Sequence, residues 1–257
     1  MTVEQGVLLF AIAIVAGALN SVAGGGSFFT FPTLVFTGVP AIQANATNTV
    51  ALWPGTLASI GAYRKELGAT PRPTLLLLGG VSLVGGLIGA IVLLHTPKDT
   101  FAALIPWLLL LATLLFAFGP RLTALVRARQ VGKPAEGGTA PLGTALLQLV
   151  ISVYGGFFGG GIGILMLAAL GFMGMENIHE MNALKVTLNA VINGIAVVAF
   201  VIAGAVFWAQ ALVMLVGAIV GGYGGAALAR KMDPRHVRWF VITVGLAMSA
   251  YFFVFRR

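Results

Sequence analysis

Eight stretches of this chain, 6–23, 44–63, 75–94, 101–119, 140–158, 186–207, 209–229 and 239–255, hold no charged residue at all. A hydrocarbon core of about 30 Å is crossed by a helix of roughly 20 apolar residues, and hydrocarbon offers no partner to an unpaired backbone group, so helices are the fold available to such stretches. Charged residues make up 9% of the 257 residues, against about 25% in soluble domains, and mean hydropathy is +1.01. A water-soluble surface cannot be built from so few charges. The chain reads as an all-α integral membrane protein in the lipid bilayer.

The lack of cysteine removes disulfides, thiolate metal sites and cysteine nucleophiles together. The net charge of +8 comes from 15 lysines and arginines clustered between the apolar stretches, the pattern that orients membrane helices rather than one that binds nucleic acid. Ahead of the first stretch stands Glu4 and no basic residue, whereas a secretory signal begins with basic residues. That stretch is expected to be a retained helix.

Two shorter apolar runs, 27–37 and 162–173, would rise only about 17 to 18 Å as helices. Each follows a glycine cluster: Gly24, Gly25 and Gly26 in one case, Gly159, Gly160 and Gly161 in the other. The order of long helix, glycine break, short helix, polar-edged helix and two long helices therefore occurs twice. It predicts about ten elements, eight long and two short, in two five-element repeats over 1–119 and 142–257, joined by a basic inside linker over 120–141. An odd element count inverts the second repeat relative to the first. With the N-terminus outside, Arg64, Lys65, Arg72, Arg121, Arg127, Arg129, Lys133, Arg230, Lys231, Arg235 and Arg238 fall inside, and Lys98, Arg256 and Arg257 outside, a strong positive-inside bias. This parity holds equally for short elements that cross fully and for hairpins that enter and return on one side.

A helix broken by three glycines must line a cavity or be buried in protein. A short helix starting after such a break aims free N–H groups and its positive dipole end at it, which favours an anion; Ser27 adds a hydroxyl at the first. Gly85, Gly86, Gly221 and Gly222 read more simply as close-packing glycines. On the helix after each short run the polar residues share a face. Asn182, Lys185, Asn189 and Asn193 stay within about 80° of one another, and Asn45, Asn48, Thr49, Thr56 and Ser59 form the matching face. At an offset of 137 residues Asn45 matches Asn182, Asn48 matches Lys185 and Thr56 matches Asn193. Lys185 is the charged residue set well inside an apolar run and would attract an anion; the plain alternatives are a snorkelling lysine and amides that glue helices together. The segment His179-Glu180-Met181-Asn182-Ala183 starts like a zinc-protease helix, but Ala183 stands where the second histidine must be. No metal, cofactor or hydrolytic centre is expected.

The motifs Asn20-Ser21-Val22-Ala23-Gly24-Gly25-Gly26-Ser27-Phe28-Phe29-Thr30-Phe31-Pro32, Gly38-Val39-Pro40 leading to Ala46-Thr47-Asn48-Thr49, and Tyr154-Gly155-Gly156-Phe157-Phe158-Gly159-Gly160-Gly161 make the chain similar to the sulfite exporter TauE/SafE family of membrane permeases. The family commonly has an acidic residue at the positions of Asn20 and Gly155 and a lysine at that of Thr49. The resemblance implies transport of small sulfur-containing or carboxylate anions, with sulfite and sulfoacetate as namesakes. The expectation is a non-enzymatic secondary transporter in the plasma (inner) membrane. Its substrate site would lie at the midplane and draw on Asn20, Gly24, Gly25, Gly26, Ser27, Asn45, Asn48, Thr49, Gly159, Gly160, Gly161, Asn182, Lys185 and Asn189. A small-anion channel and a non-transporting membrane subunit are the rival readings.

Overall fold

The computed structural model describes residues 1–22, 25–68, 70–130, 141–175, 177–229 and 234–254, and among these the regular structure is entirely helical. The elements are α1 (Val3–Val22), α2 (Ser27–Phe36), α3 (Ala41–Ala62), α4 (Arg64–Leu67), α5 (Arg72–His95), α6 (Lys98–Gln130), α7 (Pro141–Phe157), α8 (Ile162–Phe172), α9 (Ile178–Ile202), α10 (Trp208–Ala229) and α11 (Pro234–Val254). The ten expected elements are present, with the single turn of α4 added. Four spans, Val3–Asn20, Arg72–His95, Lys98–Gly119 and Ile178–Ile202, are each long and apolar enough to cross a membrane. Large apolar side chains also face outward, among them Leu76, Val150, Trp239 and Ile202. Helices that are apolar both toward the core and away from it belong in lipid. The protein is an integral membrane protein.

Local chemistry sets the boundaries. Asn177 caps α9: its side-chain oxygen accepts from the His179 N–H at 3.0 Å, and its amide donates to Glu180 Oε1 at 2.9 Å. Both short helices stop in the same way. Gly38 (φ +89°) and Gly174 (φ +92°) turn left-handed, and the next residue reaches back to the helix, Val39 N–H to Leu34 O and Met175 N–H to Leu170 O. The two short helices thus share the turn that ends them.

The closest packing joins α1 to α10 and α5 to α7. Small residues permit it. A Cβ at Gly17 would run into the Ala218 carbonyl, one at Gly221 into that of Ile14, one at Gly89 into that of Val153, and one at Gly156 into that of Gly86. The contacts advance together along both chains, so each pair is parallel. By contrast α6 and α11 run antiparallel: Trp107 meets Phe253, Thr113 faces Gly245, and the Arg238 side chain donates to the Ala117 carbonyl at 2.6 Å. Further neighbours are α3 with α9 and α10, α5 with α9, α2 with α11 and α8 with α6. Exchanging each element of the first half for its counterpart in the second turns α1·α10 into α7·α5, α10·α3 into α5·α9 and α11·α2 into α6·α8. It maps α3·α9 and α6·α11 onto themselves.

One boundary differs from the sequence expectation. Helix α6 continues past residue 119 to Gln130, so the first half of the expected flexible linker is helical; residues 131–140 lie outside the described residues. Pro120 lacks the N–H that would bond the Phe116 carbonyl one turn back. The Arg238 guanidinium donates there instead, at 3.3 Å, as well as to Ala117. With its freed acceptor taken by a cation, the helix tolerates the proline.

Candidate functional site

Two hairpins carry the glycine breaks. Gln5 Nε2 donates to the Thr37 carbonyl at 3.1 Å, which sets the start of α1 beside the end of α2. From that end the break lies one ten-residue helix away, about 15 Å, or half of a 30 Å core. In the second hairpin Leu147 of α7 and Phe172 of α8 line the same groove, and α8 is eleven residues long. Each short arm therefore reaches about half the depth of the core. Gly25 (φ +88°), Gly159 (φ +76°) and Gly161 (φ +71°) hold left-handed backbone at the tips; Gly24 lies outside the described residues. The hairpins meet where Phe31 lies edge-on to Phe158, ring centres 5.7 Å apart, and Phe28 of the first packs edge-on against Phe116 of α6 at 6.3 Å.

At the first break the polar groups bond to one another. The Gly26 N–H donates to Asn20 Oδ1 at 2.8 Å. Asn48 is buried, with its amide donating to Ser27 Oγ at 3.2 Å and its oxygen accepting from the Thr30 hydroxyl. Thr49 Oγ1 donates to the Asn45 carbonyl of its own helix at 2.9 Å. Asn45, also buried, spans 112 positions of sequence to donate to the Phe157 carbonyl at 3.1 Å, tying α3 to the last turn of α7. Of the asparagines here Asn48 has both its oxygen and its amide bonded inside the protein, Asn45 its amide and the exposed Asn20 its oxygen.

At the second break the arrangement is more open. Asn182, Lys185, Asn189 and Asn193 are all half-buried along one face of α9. Lys185 Nζ donates to Asn182 Oδ1 at 2.8 Å, and Asn193 donates to Asn189 Oδ1 at 3.1 Å. Among the described residues the amide groups of Asn182 and Asn189 have no acceptor, and Lys185 keeps two N–H donors beyond its bond to Asn182. The lysine stem crosses Gly163, where a Cβ would sit 3.5 Å from Lys185 Cδ. Gly163 belongs to the first turn of α8, which starts at Ile162 after Gly161 with no side-chain cap. The lysine charge and the positive end of the α8 dipole therefore coincide. Beside them Trp53 Nε1 donates to the Ala190 carbonyl at 3.0 Å, and its ring lies over Gly194. Tyr154 reaches across the break to donate to the Gly160 carbonyl.

Sequence reasoning passed over one polar group. Ser82 on α5 and Gln148 and Ser152 on α7 form a buried cluster joined by hydrogen bonds. The available signal was a glutamine and a serine four residues apart inside an otherwise apolar helix.

A family model described as "Sulfite exporter TauE/SafE" matches residues 9–252. Three curated relatives are similar over almost their full length. A "Probable membrane transporter protein" of Haemophilus influenzae is 27% identical over 244 residues, covering 95% of this chain and 92% of the relative. "Probable membrane transporter protein YfcA" of Escherichia coli is 29% identical over 248 residues, 95% and 87%. "Probable membrane transporter protein YunE" of Bacillus subtilis is 26% identical over 253 residues, 90% and 91%. No solved structure shows significant similarity to the chain.

Proposed function

Because the chain belongs to the sulfite exporter TauE/SafE family, whose members are membrane transport proteins and not enzymes, we propose that it is a secondary transporter for a small anion. The substrate class is sulfite, sulfoacetate and related organosulfur or carboxylate anions, carried across the plasma (inner) membrane. The observation that carries this reading is Lys185 lying across the uncapped first turn of α8 with the unmatched amides of Asn182 and Asn189 on the same helix face. A lysine, a helix N-terminus and free amide donors along one face supply the donors that suit an oxyanion. The Gly159, Gly160 and Gly161 bend supplies the backbone at its edge. Asn20, Gly25, Gly26, Ser27, Asn45, Asn48 and Thr49 act in this reading as the frame that holds the first hairpin.

The two halves are read as inverted repeats rocking about the hairpin tips. The antiparallel course of α6 and α11, counterparts in the two halves, supports inversion, as does the exchange of neighbour pairs between halves. The test is anion flux in liposomes holding the purified protein, run with sulfite and with sulfoacetate. Saturable flux with counterflow, weakened by Lys185→Ala, is expected. Flux that never saturates would mean a channel, and no flux of any anion would mean a non-transporting subunit.

A further inference from the structure

Ser82, Gln148 and Ser152 are each 0% exposed. Gln148 Nε2 donates to Ser82 Oγ at 2.8 Å and Ser152 Oγ at 3.2 Å; the Ser152 hydroxyl lies 2.7 Å from the Gln148 main-chain carbonyl and 3.4 Å from Ser82 Oγ. Gln148 Oε1 is buried without a partner. A carbonyl oxygen left alone among packed helices is costly, and such an orphan calls for an explanation. Ser82 stands near the middle of the 24-residue α5, so the cluster sits far from both membrane surfaces.

Hydrogen-bonding glue does not account for it. The equivalent interface of the other half, α1 on α10, is closed by Ala13, Gly17, Gly217 and Gly221 with no polar group, and it packs at least as closely. At a 135-residue offset Ala13 and Gly17 are the counterparts of Gln148 and Ser152. The polar cluster was therefore added to an interface that closes without it.

We propose that Ser82, Gln148 and Ser152 form a sodium site that couples cation entry to transport of the anion, an inference that rests on the transporter reading above. Rotating the Gln148 amide by half a turn exchanges its oxygen and nitrogen without moving the side chain, so that the amide N–H2 takes the partnerless place and a bound cation must offset its cost. The carbonyl oxygen then joins the two hydroxyl oxygens and the Gln148 main-chain oxygen in one hard-oxygen set. Such a set suits a hard cation, and the absence of a carboxylate from it suits a single charge better than a double one. Among the described residues no group of histidine, cysteine and acidic side chains could hold a metal ion. A cation entering beside the anion also offsets the electrical cost of moving the anion alone. The link to the anion site is short: Gly86, one turn beyond Ser82, packs against Ile192 and Ile195 of α9, between Asn189 and Asn193 and just beyond them.

The test measures sulfite flux into liposomes with sodium, potassium or choline outside, together with the thermal stability of the detergent-purified protein in the same salts. Sodium is expected to speed flux several-fold and to raise the melting temperature above that in potassium. Gln148→Met and Ser82→Ala should lose both responses while remaining folded. Should the wild type melt alike in all three salts and carry sulfite equally well in choline, the cluster is a structural lock or a water site and the proposal fails. Absence of sulfite flux in every salt overturns the transporter reading instead; the melting comparison on wild-type protein still decides whether sodium binds.

Discussion

Asn48 and Lys185 show how two residues that the sequence pattern matches at an offset of 137 diverge in role. Asn48 and Lys185 occupy equivalent positions, yet Asn48 is locked between Ser27 and Thr30 while Lys185 lies half-buried over Gly163. Lys185→Ala should therefore weaken sulfite binding roughly tenfold or more with little change in melting temperature, read by calorimetry and thermal unfolding on the same sample, since it removes a charge and leaves no orphan bond in the core. Asn48→Ala should do the reverse. It removes the acceptor of the buried Thr30 hydroxyl, which keeps its bond to the Gly26 carbonyl, and the donor to the half-buried Ser27 hydroxyl, so a loss of about 1 kcal/mol lowers the melting temperature while anion affinity stays near the wild-type value. Equal loss of affinity in both variants would return Asn48 to the binding site. The polar stripes themselves were legible in the sequence because their spacing is a helix property. What each asparagine touches was not, since Asn45 meets Phe157 across 112 positions, and only the folded arrangement of the hairpins brings them together.

At the scale of elements, apolar runs and glycine clusters marked each helix, though α9 and α11 begin eight and five residues before their charge-free runs, and the turns at Gly38 and Gly174 explain where the short ones end. The exception is α6. Pro120, with Gly119 before it, signals a stop by local rules, and the cation that compensates it lies on α11, out of reach of any local reading. This arrangement predicts a double-mutant pattern. Arg238→Ala leaves the Phe116 and Ala117 carbonyls without the guanidinium, and a loss of about 1.5–3 kcal/mol is expected for a bond to a charged group. Pro120→Ala restores a backbone N–H for Phe116. In the Arg238→Ala background it should recover part of the lost stability, more than it adds to the wild type, and chemical unfolding in detergent of the four proteins checks the coupling. Purely additive effects would detach the arginine from the proline. Helix pairing was equally invisible in the sequence. Glycines announce close approach without naming the partner, so the union of α1 with α10 and α5 with α7 emerges only from the fold. Gly221→Leu tests it: the side chain would be driven into the Ile14 backbone, and loss of the folded protein's sharp melting transition is expected.

For the molecule as a whole, the question is whether its halves face opposite ways. Parallel packing of α1 with α10 and of α5 with α7, with α6 antiparallel to α11, is the arrangement expected if the proposed repeats are inverted. Lipid placement adds the sign. Arg64, Lys65 and Arg238 fall at one end in the charge count and Lys98 at the other, so the orientation expected from the positive-inside rule, which the labelling below tests, has the turn between α2 and α3 outside and the turn between α8 and α9 inside. The chain contains no cysteine, which makes single introduced thiols unambiguous reporters. Pro40 and His179 are both exposed and occupy these equivalent turns. Pro40→Cys should react with a membrane-impermeant maleimide in intact cells, and His179→Cys only after the membrane is opened. Two repeats of the same orientation would label together, whichever side they faced. Opposite labelling with the sides exchanged would keep the inverted repeat but reverse the orientation, and with it the face from which an anion first meets Lys185.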